Sequence, residues 1–488
     1  MVRDDNRTSA IDPSKLGRIA ASAALVLGFL SYAFFELKIA PLRGLWYDEY
    51  WSLYTADLHA GTAVLLSDIN TPFYYLLLRA TLLTGLSGEL ALSADNQFAI
   101  VSFSAVALWL FARSGRFWFG LAAIGITLAT PTVLTYGLEG RFYALAQFSC
   151  FALAAAVLTR LDAGPRKYDL ALFIVLALIV SASHLFGALF AGSIGGAMML
   201  VSLRTSRQDV VLGFGVGALA IVVAAAWVMV AHAAMFEAGG LAEWIPQGAS
   251  WILGQFWFMN RLLSGLTPNV VLLAGAVVCC GFALNARQNA LLVALTAMLF
   301  FGLPVLASAW QPIVTGRYLT IGAPALTLMV TFMGWRAFET QTSLARVGAA
   351  LAAGFLLIAV SSAPTVAHRM TWVGRWPYDA AGARAGVAGC ASPRVRVYIP
   401  AEGIRGAVHM FSYEQALAQP DVSLVSSRRP SEDVAAYPCK LIGWGEQVFF
   451  SLPNMSDAEV LQQLGLTNTE GARLHVERRS YGLLILRD

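Results

Sequence analysis

Apolar runs recur along the chain near residues 19–37, 72–86, 97–112, 118–136, 142–159, 169–190, 187–203, 210–231, 268–284, 289–309, 319–335 and 347–363. Uncharged stretches of ~18 or more residues have the length needed to cross a bilayer as helix. The pattern therefore predicts a polytopic α-helical membrane protein. The runs 169–190 and 187–203 overlap around Gly187, which predicts two spans meeting at a tight turn there.

The positive-inside rule decides how many of the twelve runs cross. Arg3, Arg7, Lys15 and Arg18 place the N-terminus inside. If 72–86 also crossed, Arg113 and Arg116 would lie outside. The run 72–86 has only fifteen residues, carries Arg79 and opens with Pro72, which suits a helix lying in the interface. With that assignment every basic loop lands inside: Arg113/Arg116, Arg160/Arg166/Lys167, Arg204/Arg207, Arg287 and Arg336/Arg346. The expectation is about eleven spans over residues 19–364, a cytoplasmic segment 1–18, outer loops 38–96 and 232–267, and residues 365–488 outside the membrane on the far face.

Composition agrees. Apolar residues make up 58% of 488 and charged residues 13%, against about 25% charged in a soluble domain; the mean hydropathy is +0.64. The net charge of +4 gives no sign of a nucleic-acid partner. Residues 365–488 hold 13 Lys/Arg and 12 Asp/Glu, 25 of the 62 charges in a quarter of the chain. This tail predicts a separate water-facing domain. Its strand-like runs 395–400, 422–427, 440–444 and 475–487 alternate with helical ones, and Ser456 with Glu459 forms a capping-box signature, so a small α/β or α+β domain is expected. It reads as a cap over the outer loops or as an acceptor-recognition element. The basic flanks of 19–37 resemble those of a signal peptide, but the run is too long for a typical h-region and no A-x-A site closes it, so it reads as an uncleaved first span. Cys150, Cys279 and Cys280 lie in apolar spans as small hydrophobes, whereas Cys390 and Cys439 could form a disulfide in an extracytoplasmic tail.

The threading gathers certain polar residues on the outer face. In GLWYDEYWSLYTADLHAG (44–61), Asp48 and Glu49 open an amphipathic stretch whose aromatics suit headgroup depth. Successive helix positions point about 100° apart, so at most one of the two acids would face a substrate. In DINTPFYYLLLR (68–79), Asp68, Asn70 or Thr71 could cap a helix led by Pro72. Glu139 and Arg141 stand at the outer end of a span, where they could pair or where the arginine could meet a phosphate. His184 is interfacial and reads as structural or as a ligand; Arg317 and Tyr318 open a later span after Pro312 and Gly316, a costly depth for a cation. A carboxylate base, cations for an anionic leaving group and aromatic surfaces at lipid depth are the parts that glycosyl transfer from a lipid-linked sugar needs.

At these residues the chain resembles the GT-C superfamily of membrane glycosyltransferases. It is most similar to the bacterial branch related to protein O-mannosyltransferases and the lipid A aminoarabinose and galacturonosyl transferases. The likeness rests on WYDEYWSLY (46–54), NTPFYYLLLR (70–79), LTYGLEGRFYAL (134–145) and SHLFG (183–187), in family order and spacing over residues 15–200 and more loosely to 365. The resemblance implies Asp48 as catalytic base, with Glu49 orienting it or binding acceptor. Arg141 and Tyr143 would stand beside the donor. Position alone adds Arg317, Tyr318 and His184 to the donor phosphate or sugar site, with Asp68, Asn70 and Glu139 supporting the acceptor or the loops. Where relatives often have His-Pro-Pro or Lys-Pro-Pro, this chain has Asn70–Thr71–Pro72, which removes any contact a basic residue makes there. The resemblance further implies a polyprenyl-phosphate sugar donor, inversion at the anomeric carbon, no metal or other cofactor, and a place in the bacterial inner membrane. The acceptor would be an envelope glycan, lipid or protein. The rival readings are a transporter or flippase for a lipid-linked sugar, which would show internal repeats and acids within the spans, and a non-catalytic assembly protein with the same fold.

Overall fold

The computed structural model describes residues 13–39, 45, 47–57, 65, 70–236, 248–264, 268–283, 287–309, 313–340, 342–361, 395–398, 408, 411, 439–443, 455–463, 474–479 and 482–487. The helices are α1 (Pro13–Phe34), continued by a π segment Phe35–Ile39, α2 (Tyr47–Ala56), α3 (Phe73–Leu82), α4 (Gly88–Arg113) and α5 (Phe117–Leu128). A second π segment, Val133–Gly137, precedes α6 (Tyr143–Ala163), α7 (Asp169–Ser183), α8 (Leu185–Ser202), α9 (Arg207–Phe236) and α10 (Ala249–Ser264). Then follow α11 (Pro268–Gly281), α12 (Arg287–Ala307), a single helical turn Gly316–Leu319 with a 3-10 turn Thr320–Gly322, α13 (Ala323–Glu339), α14 (Ser343–Ser361) and, in the tail, α15 (Asp457–Gln463).

The protein is a polytopic helical membrane protein. Seven helices among the described residues are long and apolar enough to cross a bilayer: those containing Gly17–Lys38, Gly88–Arg113, Tyr143–Ala163, Leu185–Ser202, Arg207–Ala231, Arg287–Ala307 and Gly316–Glu339. The shorter apolar helices α5, α7, α11 and α14 coincide with the four remaining expected spans. The fifth short one, α3, is the run assigned to the interface.

Three local expectations change. The run 118–136 is not one helix: α5 stops at Leu128, Ala129 and Thr130 form a turn, and Pro131, which lacks an N–H and could not continue α5, opens the helical residues that lead into the π segment. The turn expected at Gly187 lies at His184, whose extended backbone (φ −170°, ψ 151°) separates α7 from α8. Gly187 is instead a contact point, because a Cβ there would collide with the Val180 carbonyl oxygen. Neither Asn70 nor Thr71 caps α3. The Thr71 hydroxyl donates to the carbonyl of Ala182, one of the α7 C-terminal carbonyls that have no partner within their own helix. Asp68 lies outside the described residues, as do Cys390 and the expected strand 422–427.

The chain divides into two compact units. The larger comprises residues 1–37, 66–86 and 90–367. Its axis is α6, 94% of whose spanning window is buried, so this helix sits amid the bundle while α1 and α9, at 22% each, form its periphery. Small residues allow close approach: a Cβ on Gly28 of α1 would run into the backbone of Gly125 of α5, and the Gly195–Gly213 pair brings α8 and α9 equally close.

Ion pairs tie one end of this bundle. Arg116 pairs with Asp162 (2.7 Å) and Glu339 (3.1 Å), and Arg336 with Asp162 (3.3 Å) and Glu339 (2.7 Å). Arg160, buried at the foot of α6, pairs with Asp169 (2.7 Å) and Asp209 (2.6 Å). Arg166 donates to the Arg113 carbonyl (3.1 Å). The expected inner loops thus meet one another.

The second unit comprises residues 38–65, 87–89 and 368–488. Its four-stranded sheet has the order β1 (Val395–Tyr398), β2 (Cys439–Gly443), β4 (Gly482–Arg487), β3 (Leu474–Arg479). β1 and β2 run parallel; β2/β4 and β3/β4 are antiparallel. The single strand-like run 475–487 is therefore a hairpin, with Arg479 opposite Gly482. The capping box forms: the Ser456 amide donates to Glu459 (2.7 Å) and the Glu459 amide to the Ser456 hydroxyl (3.4 Å). These bonds hold the Glu459 carboxyl below its ordinary value. α2 belongs to this unit, its Tyr54 ring 5.7 Å from Phe411.

Breaking a buried ion pair from one side strands the other charge, at a cost of about 3–5 kcal/mol. Arg160→Met should lower the unfolding free energy of the detergent-solubilised protein by about 3 kcal/mol, measured by denaturant titration, with exposed Arg204→Met as the near-neutral comparison.

Candidate functional site

At the end of the bundle opposite the ion pairs, three breaks in the helical backbone converge. The separation follows from α6 itself: some seventeen residues between Tyr143 and Arg160 correspond to about 25 Å of helix. The first break is the turn Leu138–Phe142 before α6. Asn96 of α4 pins it by donating to the Glu139 carbonyl (2.9 Å), and the Arg141 amide donates back to the same carbonyl (2.6 Å). The second is His184. The third is the non-helical stretch Ile313–Thr315 before the helical run that starts at Gly316, where the Gly316 amide donates to Gln255 of α10 (2.7 Å), Trp251 donates to the Val314 carbonyl (2.9 Å), and Gln147 of α6 donates to the Thr320 carbonyl (3.4 Å).

These breaks bring together Glu139, Arg141, Tyr143, His184, Arg317 and Tyr318. Phe142 is the centre. Its ring stacks on His184 (centroids 4.4 Å, 26°) and lies 4.5 Å from Tyr143, 6.4 Å from Tyr74 and 6.5 Å from Tyr318. His184 is 4.9 Å from Tyr318, and Tyr136 is 5.1 Å from Tyr143. The Arg141 guanidinium lies over Phe142 at 5.0 Å and that of Arg317 over Tyr318 at 5.4 Å. Arg141 is buried at 4% exposure, with Arg317 half-buried, so two cations share an aromatic-walled recess with little water to screen them. Both act on His184, which stands between α7 and α8: burial first, then Arg141 and Arg317, pushes its imidazole well below its ordinary value. Asn70 is buried at the entrance to α3, two residues before its Pro72–Phe73 start, and its neighbour Thr71 joins that start to α7.

Beside this recess lies an apolar cavity of about 880 Å³, lined among others by Phe256, Leu273, Ala297, Ala323, Thr327 and Phe355. Its wall begins at Ala323, six residues and about 9 Å of helix below Arg317 on the same helical run.

In the other unit, Asp48 and Glu49 occupy the first turn of α2, where carboxylates complement the helix dipole. The helix turns them into different surroundings: Glu49 is buried at 1% exposure and Asp48 is half-exposed. The Ser52 hydroxyl bonds the Asp48 carbonyl (3.1 Å).

No protein-family model matches the sequence, and no curated protein matches it. Solved structures do. The chain is similar to the crystal structure of ArnT from Cupriavidus metallidurans in the apo state, with 97% of this chain and 98% of that one covered, 15% identity and a TM-score of 0.52. The fold is that of ArnT. A second crystal structure of the same protein, bound to undecaprenyl phosphate, matches over the same shares at 14% identity and a TM-score of 0.48. The ArnT fold is one of the folds that the sequence resemblance implies, and the match runs through the tail as well as the spans.

Within this ArnT-like bundle, several site residues carry no signal that sequence reading used. Phe142 lies between two polar residues that drew attention to themselves, yet it is the platform on which the recess is built. Tyr74 and Phe186 look like ordinary apolar helix positions. Trp251 and Gln255 sit in a loop whose helix the hydropathy pattern does not reveal. A polar residue two positions from an aromatic at a span's end, repeated at Arg141–Tyr143 and His184–Phe186, is the available hint.

Tyr143 offers a test of the recess. Its hydroxyl is fully buried and bonds to no group among the described residues. Removing an unsatisfied buried hydroxyl is neutral or stabilising. Tyr143→Phe should leave unfolding stability unchanged or raise it by up to about 1 kcal/mol, read by thermal unfolding; a clear loss would mean that the hydroxyl has a partner.

Proposed function

We propose that this protein is an inverting glycosyltransferase that moves a sugar from a polyprenyl-phosphate donor to an envelope acceptor, glycan, lipid or protein, at the outer face of the bacterial inner membrane. One observation carries the reading: two arginines share an aromatic-walled recess, and the helical run that one of them, Arg317, heads goes on within a few turns to line an apolar cavity. A charged head joined to a long hydrocarbon tail is the ligand that such a juxtaposition fits. The ArnT fold and the sequence resemblance support the same reaction class.

In this reading Asp48 takes the proton from an acceptor hydroxyl, whose oxygen then bonds to the anomeric carbon. The bond from that carbon to the phosphate oxygen breaks, and its electron pair leaves with the lipid phosphate. A single displacement inverts the centre. Charge grows on the departing phosphate, and Arg141 and Arg317 stabilise it where little water competes. Glu49, buried on the same helix, orients Asp48. Tyr143 and Tyr318 present ring surfaces to the sugar, Glu139 and Asn70 support the loops, and Asp68 is assigned with them. No metal is given a part, so transfer should continue in excess chelator.

The reading requires that Asp48→Asn abolish sugar transfer, by a factor of 10² or more, while membrane abundance stays unchanged; unimpaired transfer would overturn the base assignment. Mass spectrometry of envelope glycolipids and polysaccharides from a deletion strain should show a product lighter by one sugar, which names both sugar and acceptor. The N-terminus is assigned to the cytoplasm and residues 365–488 to the periplasm. Alkaline phosphatase fused after Asp488 should therefore be active, and the same enzyme fused after Arg116 inactive.

A further inference from the structure

His184 joins two roles in one ring. It is the N-cap of α8: its Nδ1 accepts the Phe186 amide hydrogen at 2.9 Å. An amide N–H can only donate, so Nδ1 carries no proton, and a neutral imidazole must then bear its hydrogen on Nε2. Protonating Nδ1 would set two N–H groups against each other, so the cap itself favours the neutral form. The ring is 3% exposed, stacked on Phe142 and flanked by Tyr318. Among the described residues nothing accepts from Nε2. The positive charges of Arg141 and Arg317 both act on this ring, and an anion that they attract is an acceptor for the Nε2 hydrogen.

We infer that His184 binds the donor's anion: the neutral imidazole caps α8 through Nδ1 and donates its Nε2–H to a non-bridging oxygen of the lipid phosphate. This rests on the reading that Arg141 and Arg317 receive that phosphate, and it deepens it by fixing the protonation of the histidine beside them. Two cations and one neutral donor face a phosphodiester of charge −1 in the donor. As the sugar–oxygen bond breaks, the phosphate acquires the bond's electron pair and becomes a dianion. Arg141 and Arg317 therefore favour the leaving group over the donor. The neutral histidine adds a directed hydrogen bond without a third charge, which would hold the product more tightly.

The two nitrogens can be separated by substitution. Asparagine at 184 keeps an oxygen near the Nδ1 position and is among the best N-cap residues, but does not reach as far as Nε2. Glutamine reaches the Nε2 position with an N–H donor and caps poorly. Binding of undecaprenyl phosphate to the purified full-length protein in detergent is the measurement, with the unfolding temperature read in parallel. His184→Asn should keep the wild-type unfolding temperature and raise Kd about tenfold. His184→Gln should unfold at lower temperature while keeping Kd within about threefold. Wild-type binding by His184→Asn, or equal weakening by both variants, would overturn the inference. Arg141→Gln and Arg317→Gln test the underlying reading separately. If they weaken binding and His184→Asn does not, the phosphate site stands without His184; if they bind as wild type, the phosphate site itself is wrong.

Discussion

Hydrocarbon offers no hydrogen-bond partner to a peptide group, so a membrane helix can be interrupted only where protein supplies one. The three interruptions at one end of this bundle each obey that constraint. Asn96 satisfies the Glu139 carbonyl, Thr71 the Ala182 carbonyl, and His184 the Phe186 amide. Gln255, Trp251 and Gln147 do the same for the turn around Gly316. Polar side chains are thus drawn to the breaks for structural reasons, and the breaks are where a recess can form. Structure and candidate chemistry share residues because the solvent leaves few other places for polarity.

The opposite end is built on a different economy. There the helices are unbroken to their ends, and charges pair across them: Arg116, Asp162, Arg336 and Glu339 in one cluster, Arg160, Asp169 and Asp209 in another. α6 runs between the two ends with its length buried, so it fixes the distance from the paired charges to Tyr143.

Hydropathy and charge made the bundle legible to a large extent. The apolar segments fall where they are expected, and the basic loops expected on one face meet in ion pairs. Ser456 and Glu459 show their capping box in the sequence because its chemistry is local. What could not be read depends on tertiary contact. The Thr71 hydroxyl has two uses, capping its own helix or another's carbonyl, and only the position of Ala182 decides between them. The α7–α8 break falls at His184 rather than Gly187 because a histidine can cap while the glycine is needed for close packing. Phe142 escaped notice since an aromatic among apolar residues has no signature until its neighbours are known. Asp48 and Glu49 were visible as an acid pair among aromatics, but their unequal burial depends on what packs around α2.

The contact between Gly28 and Gly125 has a consequence for biogenesis. α1 and α5 touch backbone to backbone, and most of the rest of α1 is exposed, Ala21 and Tyr32 apart. At synthesis rates of about 5–20 residues per second, the second glycine leaves the ribosome several seconds after the first. During that interval α1 is in the bilayer with a bare groove along its small-residue face. α1 must therefore wait for a later helix before this face has a partner, and its glycine, invisible to hydropathy, keeps the place open.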